Sequence, residues 1–220
     1  QQHGFRSGRS TTTAVASMIA EWSKAYEENQ TTGVLLWDLS SAFDTIDANL
    51  LCAKLELYGV ERRSIRWFRS FLTNRKQVVQ VGSKISEPRT LKAGCPQGSL
   101  LSPLLFLIYV ADMELWVEHA SVRGYADDTA SSVSAGSEDE VIEKLEFDAV
   151  RMLKFMASNY LVANPKKTGF LLIRKNQSSM PAQTIEVGGQ TITECDVHRI
   201  LGLTVNASLS WRDHIYGVGG

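Results

Sequence analysis

The chain has 220 residues, enough for one well-buried domain or for one domain with an attached subdomain. Its composition, 44% hydrophobic and 21% charged, is typical of a folded globular protein and excludes an intrinsically disordered tail. A formal net charge of −1 excludes a uniformly basic nucleic-acid binder, so any surface for nucleic acid must come from charge segregated along the chain.

The cysteines and the longest apolar run exclude two further classes of protein. The three cysteines are widely spaced without a CxxC pair, which argues against a disulfide framework or a zinc site and favours a reducing intracellular compartment. The apolar run 100–110 is about half of the ~20 residues that span a bilayer, so we expect no membrane anchor. The chain starts at Gln1 rather than Met and stops without an end signal, so we expect a piece of a longer polypeptide.

The first part of the chain predicts a helix, a buried strand and two more helices. Apolar residues at helical spacing predict the first helix: Val15, Met18, Ile19, Trp22 and Tyr26. The apolar run 34–37, which ends in Asp38, is typical of a strand buried on both faces. Asp47 is placed to cap a second helix that Gly59 closes. A third helix should turn Ile65, Phe68 and Leu72 inward, and 78–81 alternates like a strand.

The second part predicts a turn, a hairpin and a long helix. The Gly/Pro-rich turn 94–98 should lead into an apolar helix from about Ser99 to Met113. Two short strands, 122–126 and 129–133, should flank a bend at Asp127-Asp128. Ser137-x-x-Glu140 is a capping box that opens an amphipathic helix. Further strands are predicted at 169–174, 184–187 and 200–205. Because strands and helices mix without a βαβ alternation, we predict the α+β class.

Three aspartates stand where carboxylates are costly. Asp127 and Asp128 repel each other unless a cation neutralises them, and Asp38 closes an apolar strand. Three carboxylates become acceptable together around hard divalent cations, and two such ions ~3.5–4 Å apart are the requirement of two-metal phosphoryl transfer. With no His or Cys nearby, Mg²⁺ or Mn²⁺ is favoured over zinc. Taken singly, each signal has an ordinary alternative: a solvated turn for the pair, a helix cap for Asp38.

The order of the motifs favours the metal site. Four segments occur in a fixed order: 38–44 (DLSSAFD), 94–103 (GCPQGSLLSP), 125–128 (YADD) and 161–168 (LVANPKKT). They resemble the successive motifs A, B, C and D of reverse transcriptases. Their residues are similar to those of the polymerases of non-LTR (LINE-type) retrotransposons. The stretches 2–6 with 10–11, 201–203 and 209–211 resemble the flanks of these motifs. The resemblance implies an RNA-directed DNA polymerase with a right-hand palm.

The resemblance also implies roles for particular residues. Asp38 and Asp127 match the principal metal ligands, and Asp128 matches the supporting carboxylate. The primer 3′-hydroxyl would then attack the α-phosphate of the incoming nucleotide and expel pyrophosphate. Phe43 matches the aromatic residue that excludes a 2′-hydroxyl, which implies use of dNTPs over rNTPs. The alternative for Phe43 is a core residue at a helix start.

Two nucleotide-contacting residues follow from motifs B and D. Gln97 lies in a turn whose glycines permit close approach of a ligand, and by resemblance it positions the templating base and the nucleotide. Lys167, or its neighbour Lys166, matches the motif D lysine near the triphosphate. A solvated turn glutamine and solvated lysines are the respective alternatives.

The near-neutral total charge hides segregation. Residues 54–92 carry ten basic and three acidic side chains, a balance of +7, whereas 127–148 carry eight acidic residues and one lysine, a balance of −7. Arg62, Arg66 and Arg69 should share one helical face beside Trp67, as residues that follow a phosphate backbone would. A solvated helix surface is the alternative for this face.

The resemblance implies a division of the chain and its partners. The palm is expected at about 30–60 and 90–175, a finger-like helical part at about 1–29 and 60–90, and the start of the palm-to-thumb connection at 176–220. The expected partners are an RNA template, a DNA primer, dNTPs and the rest of a retroelement polyprotein. We expect an intracellular protein, nuclear if it primes at a chromosomal target, with cytoplasmic RNA–protein complexes.

Three other functions stay open from the sequence. One is a group II intron-type or other bacterial reverse transcriptase. Another is a decayed or domesticated copy that binds RNA without polymerising, although the three carboxylates, Phe43 and Gln97 are all intact. The third is an RNA-dependent RNA polymerase, which would use the same palm chemistry. Phe43 argues against this function because it implies use of dNTPs over rNTPs.

Overall fold

The computed structural model describes residues 3–39, 41–164, 167–175 and 181–210. The motif residues Gln2, Ser40, Pro165, Lys166 and Trp211 lie outside these ranges. The described helices are α1 (Thr11–Glu27), α2 (Ala48–Leu57), α3 (Arg62–Leu72), α4 (Ser102–Val110) and α5 (Glu138–Ser158), with a 3₁₀ turn at Met113–Trp116. The described strands are β1 (Thr31–Asp38), β2 (Lys76–Gln77), β3 (Gln80–Val81), β4 (Lys84–Ile85), β5 (Arg89–Thr90), β6 (Ser121–Tyr125), β7 (Asp128–Ala135), β8 (Gly169–Ile173), β9 (Thr184–Val187), β10 (Gln190–Thr193), β11 (Val197–Ile200) and β12 (Leu203–Asn206).

A four-stranded antiparallel sheet organises the described residues. Its strand order is β6-β7-β1-β8, so β1 lies in the interior between β7 and β8. The other strands of the described part pair as two-stranded ribbons: β9 with β10, β11 with β12, β2 with β5 and β3 with β4. Strands and helices mix without parallel βαβ units in this sheet, which agrees with the predicted α+β class.

Strand β1 is buried on both faces because its alternate residues meet two different cores. Leu35 and Trp37 join the larger core, built mainly from α2, α4 and α5. Val34 and Leu36 join a second core formed with α1 and the β11–β12 ribbon. Trp37 also donates a hydrogen bond from Nε1 to Ser131 Oγ at 2.9 Å, so its buried N–H is satisfied. The predicted double-sided burial of this strand is confirmed.

Side chains cap the helices as the sequence predicts. The Asp47 side chain accepts a hydrogen bond from the backbone N–H of Leu50 at the start of α2. The Ser137 side chain accepts one from the backbone N–H of Glu140 at the start of α5. Each such cap satisfies one of the N–H groups that the first helical turn leaves without a partner.

Three predicted elements have different bounds in the structure. The apolar helix predicted over 99–113 spans only Ser102–Val110, because Pro103 stands in its first turn and the chain tightens into a 3₁₀ turn beyond it. Of the strand predicted at 78–81, only Gln80–Val81 forms a strand, β3, because Val78 and Val79 separate it from β2. The single strand predicted at 200–205 is two paired strands, because Leu201 and Gly202 both take positive φ and reverse the chain between β11, which ends at Ile200, and β12, which begins at Leu203.

The polar residue Asp148 on the buried side of α5 fixes the segment that leads into β6. Its carboxylate is 1% exposed and accepts hydrogen bonds from the backbone N–H groups of Glu118, His119 and Ala120 at 2.8, 2.8 and 2.6 Å. A buried carboxylate is tolerated where several donors satisfy it. The start of the hairpin strand is therefore tied to the longest helix.

No helix of the described residues is long and apolar enough to cross a membrane.

We predict that Asp148→Ala lowers the free energy of unfolding by about 3 kcal/mol, because three backbone N–H groups lose the buried carboxylate that accepts from them. Urea unfolding followed by circular dichroism measures this change. Glu143→Ala, at an exposed position of the same helix, is the control and should stay within about 0.5 kcal/mol of the wild type. Equal losses in the two variants would contradict this role of Asp148.

Candidate active site

The pairing of β1 with β7 brings two of the predicted aspartates face to face. Asp38 is the last residue of β1, Asp128 is the first residue of β7, and the two are direct partners in the antiparallel register. Asp128 is also the partner of Tyr125 across the β6–β7 hairpin. The bend is therefore Ala126-Asp127, which corrects the prediction that both aspartates lie in it. Asp127 stands at the tip, one residue from the Asp38–Asp128 pair.

The backbone of the hairpin tip is held in an uncommon conformation. Ala126 has φ of +57°, a region that non-glycine residues seldom occupy and that costs of order 1 kcal/mol. The N-terminal segment packs directly against it: the His3 N–H donates to Gly124 O at 2.7 Å. A Cβ on Gly4 would lie only 2.6 Å from the Ala126 nitrogen. Only a glycine at position 4 allows this approach, so the segment and the tip fit as one unit.

The electrostatics of the cluster disfavour three negative charges. The Asp128 residue as a whole is exposed to solvent. Its carboxyl group is nevertheless partly desolvated by the protein atoms around it. This burial, followed by the negative charges of Asp127 and Asp38, raises the pKa of Asp128 above its ordinary value of 3.8. A cation bound among the carboxylates would relieve the repulsion.

Lys167 supplies a positive charge at this place. Its Nζ lies 3.6 Å from Asp38 Oδ2. The turn that carries it is anchored on the end of β1, because the Asn164 N–H donates to Asp38 O at 2.8 Å and the Lys167 N–H donates to Asn164 O at 3.0 Å. The structure thus places the predicted triphosphate lysine beside a predicted metal ligand. The alternative lysine, Lys166, lies outside the described residues.

The residues around the cluster fit a hard divalent cation. Every candidate ligand is a carboxylate oxygen, the donor type that Mg²⁺ and Mn²⁺ prefer. Asp38, Asp128 and Lys167 line one cavity of about 310 Å³, together with His198 and Arg199 of β11. In the ranges that the structure describes, no three His, Cys, Asp or Glu side chains converge tightly enough to form a metal site by themselves. Asp38 and Asp128 pair where their two strands meet, and the Lys167 side chain lies beside Asp38.

The loop after Asp38 and the turn at 94–98 are joined through their backbones. The Cys95 N–H donates to Phe43 O at 2.9 Å, and the Gly94 N–H donates to Ile46 O at 2.8 Å. Gly94 has φ of +88°, and a Cβ there would lie 2.9 Å from the Asp44 Cα. Glycine is therefore required for both the conformation and the contact.

Phe43 and Gln97 belong to the two segments that this junction joins. The Phe43 ring is half-buried and stacks on Phe106 with centroids 4.6 Å apart, so one face of the ring packs against the core. Gln97 is exposed and donates from Nε2 to Asp44 Oδ1 at 3.0 Å. Cys95 between them is buried, and this burial raises the pKa of its thiol to about 11, so it packs as a neutral apolar side chain.

The predicted arginine face lies on α3 and is exposed. Arg62 lies 3.9 Å from Glu56, and Arg69 donates to the Asn49 side chain, so two of the three arginines also contact α2. Trp67 is 52% exposed and stacks on Phe71 at 5.4 Å. The basic stretch needs one correction: Lys54 is buried, donating to Tyr109 O and Asp112 Oδ1, so it adds no surface charge.

Sequence reasoning missed two contributors to the site. Gly4 belongs to a flanking stretch of the motifs, and its contact with the hairpin tip joins residues more than a hundred positions apart. Asp44 lies in the motif A segment, where the resemblance implies no role for it, and it accepts the hydrogen bond that holds Gln97. An acidic residue following an aromatic one is a weak signal, because loops commonly contain acidic residues.

Solved telomerase structures share this arrangement of sheet and helices. Apo telomerase from Candida tropicalis, truncated from its C-terminal domain, gives a TM-score of 0.61 at 15% identity, covering 90% of this chain and 39% of that one. Telomerase from Candida albicans in complex with the TWJ fragment of telomeric RNA gives 0.59 at 14% identity, covering 94% and 35%. At these identities the likeness concerns the fold, which is that of a right-hand polymerase, and the predicted palm fold is confirmed.

The chain belongs to the reverse transcriptase (RNA-dependent DNA polymerase) family, whose model matches residues 1–205. Among its relatives in Drosophila melanogaster, the probable RNA-directed DNA polymerase from transposon BS is 27% identical, and the match covers 97% of this chain. The RNA-directed DNA polymerase from mobile element jockey is 25% identical, with 99% of this chain covered. The chain spans 24% of the length of each of these two relatives. The resemblance to non-LTR retrotransposon polymerases is confirmed, and reverse transcriptases generally depend on divalent metal ions.

We predict that Asp128→Asn raises the melting temperature in EDTA at pH 7. A carboxyl whose pKa is raised on folding costs stability once it ionises, and the amide removes that cost. The gain should shrink as the pH falls through the raised pKa and vanish below the ordinary value of 3.8. Thermal melts across this pH range measure it.

Glu143→Gln, which neutralises an exposed carboxylate on α5, is the control and should show no such pH-dependent gain. A wild type that matches or exceeds Asp128→Asn in stability at pH 7 would contradict the raised pKa of Asp128.

Proposed function

We propose that this chain forms the catalytic palm and part of the fingers of an RNA-directed DNA polymerase of a non-LTR retrotransposon. The polymerase would add dNTPs to a primer 3′-hydroxyl on an RNA template. The observation that carries the proposal is the pairing of Asp38 with Asp128 across β1 and β7, with Asp127 at the adjoining tip, in a chain of the reverse transcriptase family. The named relatives in Drosophila favour a transposon polymerase over the other functions that the sequence left open.

The aspartates and Lys167 would have different roles in nucleotidyl transfer. Asp38 and Asp127 would hold Mg²⁺ or Mn²⁺, with Asp128 in support, and bound divalent cations would stabilise the attacking and leaving oxygens. Lys167, at the same cavity, would meet the negative charge of the triphosphate, exchanging its contact with Asp38 for phosphate oxygens. The protein then contributes positioning and charge more than covalent chemistry.

The half-buried Phe43 ring would close the sugar site of the incoming nucleotide. Its stack on Phe106 limits the motion of the ring, and its backbone is bonded to the 94–98 turn. A fixed ring excludes a 2′-hydroxyl better than a mobile one, because its displacement would disturb the core.

Nucleic acid would bind the exposed basic surface of α3. The exposed arginines Arg62, Arg66 and Arg69 on α3 offer phosphate contacts, and Trp67 beside them offers a stacking surface. The proposed division into palm and fingers places α3 in the fingers. In a cell we propose that the polypeptide acts with the rest of a retroelement polyprotein and enters the nucleus to prime at a chromosomal target.

We predict that Asp127→Asn lowers primer extension by at least about a hundredfold, because losing a metal ligand should cost more than the loss of an outer-shell contact. Extension of a DNA primer on an RNA template with Mg²⁺ and dNTPs measures this, using the longest natural polypeptide that carries these residues. Asp139→Asn, an exposed carboxylate in the same acidic stretch, should retain full extension. Undiminished extension by Asp127→Asn would overturn the metal-site assignment.

We predict that Phe43→Ala raises the use of rNTPs relative to dNTPs by at least about tenfold, a change of roughly 1.4 kcal/mol in discrimination. Paired single-nucleotide kinetics with dCTP and CTP opposite a templating G measure the ratio. Phe71→Ala, which removes an aromatic ring on α3, is the control and should leave the ratio unchanged. A wild type that uses the two nucleotides equally would rule out Phe43 as the gate.

A further inference from the structure

Gln97 is an exposed side chain of the 94–98 turn, and Asp44 is its one described side-chain contact. Its Nε2 donates to Asp44 Oδ1 at 3.0 Å across 53 residues of sequence. An exposed glutamine loses considerable side-chain entropy when it is fixed, so an unaided Gln97 would sample several orientations. Asp44 is the partner that selects one of them.

Asp44 is itself fixed by its backbone rather than by its side chain. Its N–H donates to Ser41 O at 2.8 Å, which closes a turn after β1. The neighbouring Phe43 carbonyl accepts from Cys95, and Gly94 approaches so closely that an added Cβ would lie 2.9 Å from the Asp44 Cα. The backbone that carries the Asp44 carboxylate is therefore held in place at the same junction that carries Gln97.

The chemistry of this pair determines what Gln97 can offer a ligand. An ionised carboxylate only accepts hydrogen bonds, whereas an amide has a donor end and an acceptor end. Asp44 must therefore bind the NH₂ end of Gln97, which leaves the amide oxygen Oε1 to accept from a donor group on a ligand. Nucleobase amino and imino groups and the sugar hydroxyl are such donors.

A cavity lined by both members of the pair lies at the same junction. It has a volume of about 570 Å³, and Asp44, Gln97, Arg75 and Lys76 are among its lining residues. Arg75 is engaged with the backbone, donating to Leu72 O, Ala93 O and Gly94 O, and so it fixes the cavity wall. Lys76 is exposed and basic, as a phosphate contact requires.

We propose that Asp44 is a positioning residue that orients the Gln97 amide and thereby sets the affinity of the polymerase for its deoxynucleotide. The inference rests on the proposed function and adds a determinant to the same site. Asp44 acts through Gln97 and touches no reacting atom. Its loss should weaken nucleotide binding and leave the chemical step intact.

Steady-state primer extension with four variants tests this inference. Asp44→Ala is expected to raise KM for dNTP about five- to tenfold, as the loss of a charge-assisted hydrogen bond does, with kcat within about twofold of the wild type. Gln97→Ala should raise KM at least as much. The double variant should be no worse than Gln97→Ala alone, because the two residues form one unit.

Asp44→Asn gives the second criterion, since its side-chain oxygen still accepts from Gln97 but its NH₂ end permits the opposite amide orientation. Its KM should lie between those of the wild type and Asp44→Ala. Glu87→Ala removes an exposed carboxylate of the neighbouring ribbons and should change neither KM nor kcat. Thermal melts of all variants should agree, which separates positioning from unfolding.

The outcomes separate the inference from the proposed function. If the wild type extends primers and Asp44→Ala leaves KM unchanged, lowers kcat alone, or adds its full effect to Gln97→Ala, the inference is wrong and the polymerase assignment stands. If the wild-type polypeptide extends no primer, the proposed function is overturned, and the inference falls with it.

Discussion

The antiparallel pairing of β1 with β7 is the interaction on which the other parts of the site depend. This register places the end of one buried strand against the start of another, and both positions are aspartates. The sheet can hold them there because β1 is packed on both faces and cannot shift without exposing its apolar residues. The core on either side of β1 thus keeps two like charges together, and burial of the Asp128 carboxyl, followed by the charges of Asp127 and Asp38, raises the pKa of Asp128.

Two further junctions attach the remaining site residues to this strand end. Asn164 donates to the Asp38 carbonyl and accepts from the Lys167 N–H, which brings Lys167 to the carboxylates. The 94–98 turn is bonded to the loop after Asp38 and brings Gln97 to Asp44. Backbone hydrogen bonds hold each junction, and the side chains of Lys167 and Gln97 each also contact an aspartate. Segments far apart in sequence therefore meet at one end of one strand, which is why their order along the chain carries functional information.

Elements with strong local patterns could be predicted from the sequence. The apolar run 34–37, the caps at Asp47 and Ser137 and the helical spacing in α1 each follow from local chemistry, and the structure confirms them. The short ribbons at 76–90 and the reversal at Leu201-Gly202 could not be predicted, because their residues are exposed or their turns depend on positive φ. The contact of Gly4 with the hairpin tip and the bond of Asp44 to Gln97 depend on tertiary arrangement, which no local pattern encodes. The burial of Lys54 was hidden for the same reason, since its partners Tyr109 and Asp112 lie on a distant segment.

The proposed polymerase activity requires a divalent cation bound where the end of β1 meets the start of β7. Electron paramagnetic resonance of Mn²⁺ titrated into the wild type and into Asp38→Asn/Asp127→Asn measures this binding without any need for polymerisation. We predict saturable binding by the wild type, competed by Mg²⁺ and lost in the double variant. Equal Mn²⁺ binding by the two proteins would contradict the assignment of the carboxylates as the metal centre.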